Sequence, residues 1–298
     1  MKLKGAGRNP FYDYSPIIDR KEVAWPGGKR LAVYVGLNVE HYVFGERSVG
    51  ILDAVATRTP DPINFGWRDY GVRVGIWRLM ELFDKLKVRP SVLLNGDVCA
   101  EYPRIIQEGR KRQWAWVAHG KNNSMFSGDP PKLNEQQERK YLRDVFATIE
   151  KATGLKPKGW LGPLGLSETY RTPGLLAQLG VHYVLDWGND DQPYRLRAGN
   201  GKLLSIPYSF ELNDLPLFLR NGCDGHVFAQ MMIDQFEVLS SDSNQISRVM
   251  PICIHPFVTG QPFRFKPFAA ALTHIVRDEN IWLTTSDEIA QHIERGSR

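Results

Sequence analysis

The chain has 298 residues, of which 42% are hydrophobic and 24% are charged, which is the composition of an ordinary globular protein. The net charge of +5 arises from 38 basic and 33 acidic residues mixed along the chain, so we expect no nucleic-acid partner. The three cysteines lack CxxC spacing, which disfavours a disulfide framework. The sequence shows no apolar leader and no apolar run of membrane length, so we expect a cytoplasmic protein rather than a membrane protein.

Short apolar runs alternate with helical patterns along the chain. The predicted strands are 31–37, 91–95, 114–118, 159–161, 181–186, 203–208, 251–255 and 281–284. The predicted helices are 72–86, 102–112, 135–149 behind an Asn134 cap, 172–179, 228–239, 267–276 and one that begins at Ser286. This alternation predicts an α/β fold, a (β/α) barrel of seven or eight parallel strands. No linker composition interrupts it, so we expect one barrel domain over 1–298, with an irregular lead-in over 1–30.

Polar residues follow nearly every predicted strand, at the end where barrels of this kind hold their active sites. The candidates taken from this rim and its aromatic surround are Asn38, Glu40, His41, Asn95, His119, Asn123, Trp160, Asp190, Asp191, Gln192, Asn213 and His255. A barrel built only for stability would not need a polar group from so many strands. The sequence therefore predicts a polar site at the carboxyl ends of the strands.

The first strand offers two candidates, Glu40 and His41, and they cannot both face the barrel if the strand runs on. Side chains of a strand alternate between its faces, so Glu40 shares a face with Asn38, and His41 shares the other with Val39. If the chain turns at Val39, both side chains reach the site. The alternation favours Glu40 as the inward group.

Two histidines are candidates whose ordinary alternatives are structural. His119 and Asn123 have i, i+4 spacing, which on a helical turn places both side chains on one face. With a carboxylate they could hold a divalent metal, although asparagine is a poor ligand for a transition metal. A histidine bonded to backbone, or, for His255, one packed in the core, is the competing interpretation. No GxSxG, GxxxxGK[ST] or GxGxxG motif is present, which disfavours serine hydrolysis, a phosphate loop and a dinucleotide site.

A set of segments in order resembles a known family. They are LNVEH at 37–41, HGKNNS at 119–124, 160–163 with 167–169, IHPFVTGQP at 254–262 and IWLTTSDEIA at 281–290. Together these segments resemble the polysaccharide deacetylase (NodB-homology) superfamily over residues 20–295, in the branch similar to metal-independent allantoinases and peptidoglycan-deacetylase-like proteins. The resemblance implies a distorted (β/α) barrel, hydrolysis of a non-peptide C–N bond and a homo-oligomer.

The resemblance also implies roles for particular residues. The family's base and metal aspartates correspond to Val39–Glu40 or to Glu40–His41, its metal histidines to His119 and Asn123, and its base-steadying arginine to a position near Leu161. Its late acid histidine matches His255. The implied metal triad is degraded, so we expect either no cofactor or one weakly bound divalent metal, with zinc as the candidate.

These residues can be combined into a mechanism. Glu40, with a pKa raised by desolvation, would take a proton from water, and His255 would protonate the leaving nitrogen. His119 and Asn123 would donate to the oxyanion. The remaining candidates would bind the polar edges of a small substrate: Asn38, His41, Asn95, Trp160, Asp190, Asp191, Gln192 and Asn213.

Three functions stay open at this stage. The first is a hydrolase of a small cyclic or linear amide or ureide, and the second is a metal-dependent N-deacetylase of an N-acetylated sugar or peptidoglycan fragment. The third is a non-catalytic binding protein on a deacetylase barrel. The many polar groups at the rim favour the first, because such a site rejects substrates that leave its groups unpaired.

Overall fold

The computed structural model describes residues 9–56, 58–124, 133–163, 169–199 and 203–296. Its strands are β1 Leu31–Val39, β2 Ser91–Leu94, β3 Ala115–Ala118, β4 Gly159–Trp160, β5 Tyr183–Val184, β6 Tyr194–Arg195, β7 Leu204–Ser205, β8 Arg248–Ile254 and β9 Ile281–Leu283. All eight predicted strands are present, and several are shorter than predicted. The strand β6 was not predicted. Ser167 and Glu168 of the family segment lie outside the described residues.

The helices follow the predicted alternation. They are α1 Pro62–Tyr70, α2 Ile76–Leu86, α3 Val98–Glu101, α4 Pro103–Lys111, α5 Glu135–Thr153, α6 Thr172–Gln178, α7 Asp214–Leu219, α8 Gly225–Asp242, α9 Pro262–Val276 and α10 Ser286–Gly296. Helix α5 begins with the predicted capping box, in which the Asn134 side chain accepts from Gln137 N and the Gln137 side chain accepts from Asn134 N. Within the described ranges, no helix is long and apolar enough to cross a bilayer.

The strands form one curled sheet in the order β6-β7-β5-β4-β3-β2-β1-β8, with β9 paired to β1. Every pairing is parallel except β6 with β7. Between β7 and β8 the described residues form no ladder, and the segment after β7 meets β8 through one bridge, Asn213 with Cys253. The fold is therefore a distorted, incompletely closed (β/α) barrel with eight parallel strands, which confirms the predicted class.

Alternation along β1 divides the core into two layers. Val33, Val35 and Leu37 pack outward against the helices, whereas Ala32 and Tyr34 pack inside the curled sheet. Large inner rings need room from glycines on facing strands. A Cβ on Gly159 would lie 2.2 Å from the Tyr183 ring, and one on Gly36 would lie 3.3 Å from the Tyr208 ring. The barrel interior is consequently filled with side chains, which leaves its carboxyl-terminal end for a polar site.

The turn after β8 is fixed by close packing against the segment between α1 and α2. That segment, Gly71–Gly75, is a π-helical turn, a form of helix that is frequent near functional sites. A Cβ on Gly75 would lie 2.0 Å from Pro256 O, and one on Gly71 would lie 2.7 Å from Phe257 N. Only glycines allow the two backbones to approach this closely, so the helix sets the position of the residues that follow His255.

Candidate active site

Glu40 follows β1 and lies on its inner face together with Asn38. The residue is 7% exposed. His41 lies on the opposite face, where its Nδ1 is 3.2 Å from Tyr102 Oη and its backbone N donates to Asn95 Oδ1 at 3.0 Å. The alternation of the strand thus continues past Val39, and Glu40 is the residue that enters the barrel mouth.

The Glu40 carboxylate is surrounded by four side chains. Its Oε1 lies 3.2 Å from His119 Nε2 and 3.8 Å from His255 Nε2, and it accepts from Asn123 Nδ2. Its Oε2 accepts from the Tyr42 hydroxyl at 2.5 Å. The three groups on Oε1 leave Oε2 as the oxygen with more room for a further hydrogen bond.

His119 and Asn123 converge on Glu40 without the helical turn that their spacing predicted. The segment after β3 is irregular, and Gly120 has φ +67° with Pro163 so close that a Cβ would lie 2.4 Å from it. His119 Nδ1 donates to Leu161 O at 2.8 Å, because a carbonyl can only accept. This bond directs His119 Nε2 towards Glu40.

The orientation of the Asn123 amide follows from its neighbours. Asn95 Oδ1 accepts from His41 N at 3.0 Å, so its Nδ2 faces the other way and donates to Asn123 Oδ1 at 3.0 Å. Asn123 therefore presents its Nδ2 to Glu40 Oε1, and Nδ2 is also 3.4 Å from His119 Nε2. A flipped amide would place two N–H groups against each other at Asn95.

This donor set does not fit a metal ion. Of the three residues that match the family's metal positions, Glu40 and His119 offer ligand atoms, whereas Asn123 offers an N–H donor where a third ligand would stand. Among the described residues, no group of three or more His, Cys, Asp or Glu side chains could hold a metal.

A carboxylate that the sequence reasoning did not select holds His255. Asp214, the first residue of α7, accepts from His255 Nδ1 at 2.6 Å and from His255 N at 2.8 Å. Its Oδ2 also accepts from Thr259 Oγ1 at 2.6 Å, and Asp214 is fully buried. Since Nδ1 carries the proton given to Asp214, the other ring nitrogen, Nε2, points to Glu40. The only sequence signal was the place of Asp214 directly after Asn213.

Known proteins resemble this chain in sequence and in fold. No family model matches the chain. A Schizosaccharomyces pombe protein named "Putative polysaccharide deacetylase" is 27% identical over an alignment that covers 90% of this chain and 91% of that protein. A Helicobacter pylori peptidoglycan deacetylase is 25% identical over an alignment that covers 78% of this chain and 87% of that protein. The crystal structure of PuuE allantoinase shares the fold, with a TM-score of 0.83, 23% identity and coverage of 95% and 98%.

In sequence and in fold the chain resembles proteins of the polysaccharide deacetylase (NodB-homology) superfamily. Within this barrel, the buried cluster of Glu40, His119, Asn123 and His255 lies at the carboxyl ends of β1, β3 and β8.

The charges of this cluster differ from the sequence expectation. Burial alone would raise the pKa of Glu40, but the charge of the nearby His255, the close contact with His119 and the hydrogen bond from Tyr42 outweigh it, and the pKa lies below its ordinary value. The expectation that desolvation raises this pKa is wrong for that reason. Burial would likewise lower the pKa of His255, but the negative charges of Asp214 and Glu40 raise it. Glu40 and His255 therefore stabilise each other as an ion pair.

An aromatic collar surrounds the cluster. The Phe257 ring is buried, and it makes edge-to-face contacts with Tyr42, Trp67 and His255 at centroid distances of 5.8, 4.9 and 5.5 Å. The buried Trp67 Nε1 has no hydrogen-bond partner among the described residues. The collar adds to the burial of the ion pair, which strengthens the electrostatic interactions inside it.

Three predicted substrate contacts lie beneath or beside the cluster as supports. Asn38 donates to the Tyr208 hydroxyl at 3.0 Å and to Ile254 O at 3.2 Å. Asn213 caps α7 by accepting from Leu215 N at 3.1 Å. Asn95 uses its amide on the chain itself, as described above. These side chains hold the site residues in place.

Four other predicted contacts are not brought to the cluster. Trp160 packs outward, with its ring stacked on Phe146 at 6.0 Å. Asp190 pairs with Arg20 at 2.6 Å, Asp191 O accepts from Val249 N at 2.8 Å and Gln192 Nε2 donates to Ser247 O at 2.7 Å. Val249 lies at the start of β8 and is six residues, or about 20 Å of extended strand, from His255. The loop after β5 therefore packs at the opposite end of β8.

Proposed function

We propose that this protein is a hydrolase of a non-peptide C–N bond in a small amide or ureide, and that it works without a metal. The observation that carries the proposal is the buried pair of Glu40 and His255, whose Oε1 and Nε2 atoms are 3.8 Å apart, with Asp214 behind the histidine. A carboxylate base and an imidazolium acid side by side are the two groups that amide hydrolysis requires.

Each group has one role. Glu40, ionised at neutral pH, takes a proton from water through Oε2, the oxygen whose single described donor is Tyr42. His255 holds its Nδ1 proton on Asp214 and gives its Nε2 proton to the leaving nitrogen. Histidine serves as an acid here because its raised pKa keeps it protonated nearer to neutral pH.

The expected donors to the oxyanion take a different role in this proposal. His119 donates from Nδ1 to Leu161 O, and Asn123 donates to Glu40. Both side chains are committed to orienting the base. The imidazolium of His255 is then the positive group closest to the reacting carbonyl.

Two observations support a small substrate. Glu40, His119, Asn123 and His255 are 7%, 4%, 5% and 4% exposed, whereas an enzyme that works on a polymer needs an open groove over its catalytic carboxylate. The likeness to PuuE allantoinase covers 95% of the chain, and the substrate in that protein's name is a ureide.

The test is a substrate panel with and without a chelator. Ureides such as allantoin, simple cyclic amides and N-acetylglucosamine oligomers are incubated with the protein. The measured products are ammonia, the ring-opened ureide and acetate. We expect turnover of a ureide or an amide, and EDTA should not reduce it. Glu40→Gln and His255→Gln should each lower the turnover rate by about 10²–10⁴-fold. Glu46→Gln, an exposed glutamate of the same loop, is the matched control and keeps full activity.

N-deacetylation is the second candidate, because both curated relatives are named for it. Release of acetate from N-acetylglucosamine oligomers, without turnover of ureides, would replace the first proposal with this one. Binding of a panel compound that raises the melting temperature without any product would instead favour a binding protein. Light scattering on the same sample gives the number of chains, for which we propose a homo-oligomer.

A further inference from the structure

We propose that Arg68 is a positioning residue that holds the Glu40 carboxylate in place through the Tyr42 hydroxyl. The inference rests on the proposed function, because it concerns the residue that we assign as the base. Arg68 belongs to helix α1, far from Glu40 in sequence, and matches none of the segments that carry the family resemblance.

Arg68 is buried in an unusual way for an arginine. The residue is 3% exposed, its Nη1 donates to Val49 O at 2.5 Å and its Nε has no partner among the described residues. Asn64, one helical turn earlier, holds the same loop by accepting from Ile51 N at 2.8 Å and from Leu52 N at 2.9 Å. The face of α1 that carries both residues therefore ties down the loop over the site.

Loop anchoring alone does not explain a guanidinium at this position. A buried cation with an unpaired N–H is costly, and an amide such as that of Asn64 anchors the same loop without a charge. Among the described residues Arg68 has no carboxylate within ion-pair distance, and the acidic groups that favour its charge are, in decreasing order, Tyr42, Asp61 and Glu40. Its charge is therefore balanced in part by Glu40, across the Tyr42 ring.

Tyr42 connects the two charged groups. The guanidinium carbon of Arg68 lies 4.8 Å from the centre of the Tyr42 ring, and the hydroxyl of that ring donates to Glu40 Oε2 at 2.5 Å. A cation on the ring face is attracted to its π electrons and draws density from the hydroxyl, which makes the hydroxyl a stronger donor. Phe257 supports the ring by an edge-to-face contact at 5.8 Å, so the ring has one orientation.

The hydrogen bond from Tyr42 helps to set the orientation of the Glu40 carboxylate plane. The other oxygen, Oε1, is held by His119 and Asn123, and Tyr42 is the single described donor on Oε2. If the Tyr42 ring tilts, Oε2 loses its donor and Glu40 rotates about its last bond. The base then meets water at a poorer angle, which lowers the rate of the chemical step more than substrate binding.

The test is a double-mutant cycle with Arg68→Met and Tyr42→Phe on the substrate found in the panel. We expect each single variant to lower kcat at least tenfold with KM within twofold of wild type. Because Arg68 acts through the hydroxyl, the double variant should lose no more than Tyr42→Phe alone. Arg68→Lys, which keeps a cation on the ring face, should recover at least a third of the lost log kcat. Additive losses, or a change confined to KM, would overturn the proposal.

Arg73→Met is the matched control, because it removes a positive charge three residues after α1 from a side chain that is 75% exposed. We expect wild-type kcat from it. A crystal structure of Arg68→Met gives a readout that needs no substrate. Rotation of Glu40 with loss of the Tyr42 bond supports the proposal, and an unmoved carboxylate refutes it. If the carboxylate rotates but wild-type protein hydrolyses nothing in the panel, the positioning role stands and the proposed function fails.

Discussion

Asp214→Asn tests the acid half of the mechanism with a change of one atom. Asp214 accepts three hydrogen bonds, from His255 Nδ1 on Oδ1 and from His255 N and Thr259 Oγ1 on Oδ2. The backbone N–H cannot change its role, so the asparagine oxygen must take the place of Oδ2. Its NH₂ group then faces His255 Nδ1 and forces that nitrogen to accept.

The effect on His255 is large because both its charge and its tautomer change. The carboxylate charge of Asp214 is the main cause that raises the pKa of His255 against burial, so its removal leaves burial to lower that pKa. At a pH above the pKa, each unit by which the pKa of His255 falls reduces the imidazolium fraction tenfold. A neutral ring with its proton on Nε2 is a very weak acid. We expect kcat/KM to fall by about 10²–10⁴-fold, the usual contribution of a general acid.

The assay is the pH profile of kcat/KM on the substrate found in the panel, together with ¹⁵N NMR of the histidine rings. In wild type the raised pKa of His255 places the alkaline limb above about pH 6.5, and the imidazolium is lost as the pH rises through it. The variant should lose that limb and move the His255 proton from Nδ1 to Nε2. An unchanged limb, with at least half of the wild-type rate, would refute the acid assignment.

Thr259→Val is the matched control for packing around Asp214. It deletes one donor to Oδ2 at 2.6 Å and keeps the carboxylate charge and the bond to His255 Nδ1. We expect a loss of about 1–3 kcal/mol of stability from the missing hydrogen bond to a buried carboxylate, and less than a tenfold loss of kcat/KM. A loss as large as that of Asp214→Asn would mean that the turn, rather than the charge, controls the rate.

Three further predictions concern the base, the metal position and the backbone contact. The pKa of Glu40 is lowered in the folded protein, so the stability that this carboxylate contributes is present above about pH 4.3 and is lost as the pH falls through the pKa of the folded state. Glu40→Gln should abolish that loss in melting curves taken between about pH 7 and 3. Asn123→His replaces an N–H donor by a ligand nitrogen, so elemental analysis should find about one zinc per chain that wild type lacks, and an equal content in both would contradict our reading of the amide. Gly75→Ala places a Cβ 2.0 Å from Pro256 O and should cost about 1–3 kcal/mol in chemical denaturation, whereas Gly66→Ala, with open space around it, should gain about 0.5–1 kcal/mol.

The repeating part of the fold could be predicted because its signal is local. Runs such as 31–37 are apolar on both faces, as strands covered on both sides must be, and the helices between them carry an apolar stripe. The antiparallel β6 and the short α7 could not, since two residues of strand or six of helix have no periodicity to read. Helix α1 was missed because its pattern continues through a π turn, which shifts the apolar face.

The site residues that could be predicted are likewise those whose signal is local in the sequence. Glu40 could be predicted because alternation along one strand decides which face it takes. The pair of Asp214 and His255 could not, since the two residues are 41 positions apart and meet only through the bridge between Asn213 and Cys253. The loop after β5 carried three polar side chains into the prediction, but the open edge between β7 and β8 draws that loop to the start of β8.

The position of Asn123 connects the two halves of the mechanism. A divalent metal beside Glu40 would hold the carboxylate as a ligand and so remove it as a base. Its charge would also repel a protonated His255, whose Nε2 lies 3.8 Å from Glu40 Oε1. An amide N–H in the same place fixes the carboxylate with a single hydrogen bond and adds no charge. The base then keeps a free lone pair, and its negative charge stays available to raise the pKa of His255. In the proposed mechanism, the asparagine at the position of the family's second metal histidine is therefore the residue that lets a neighbouring carboxylate and imidazolium coexist as base and acid.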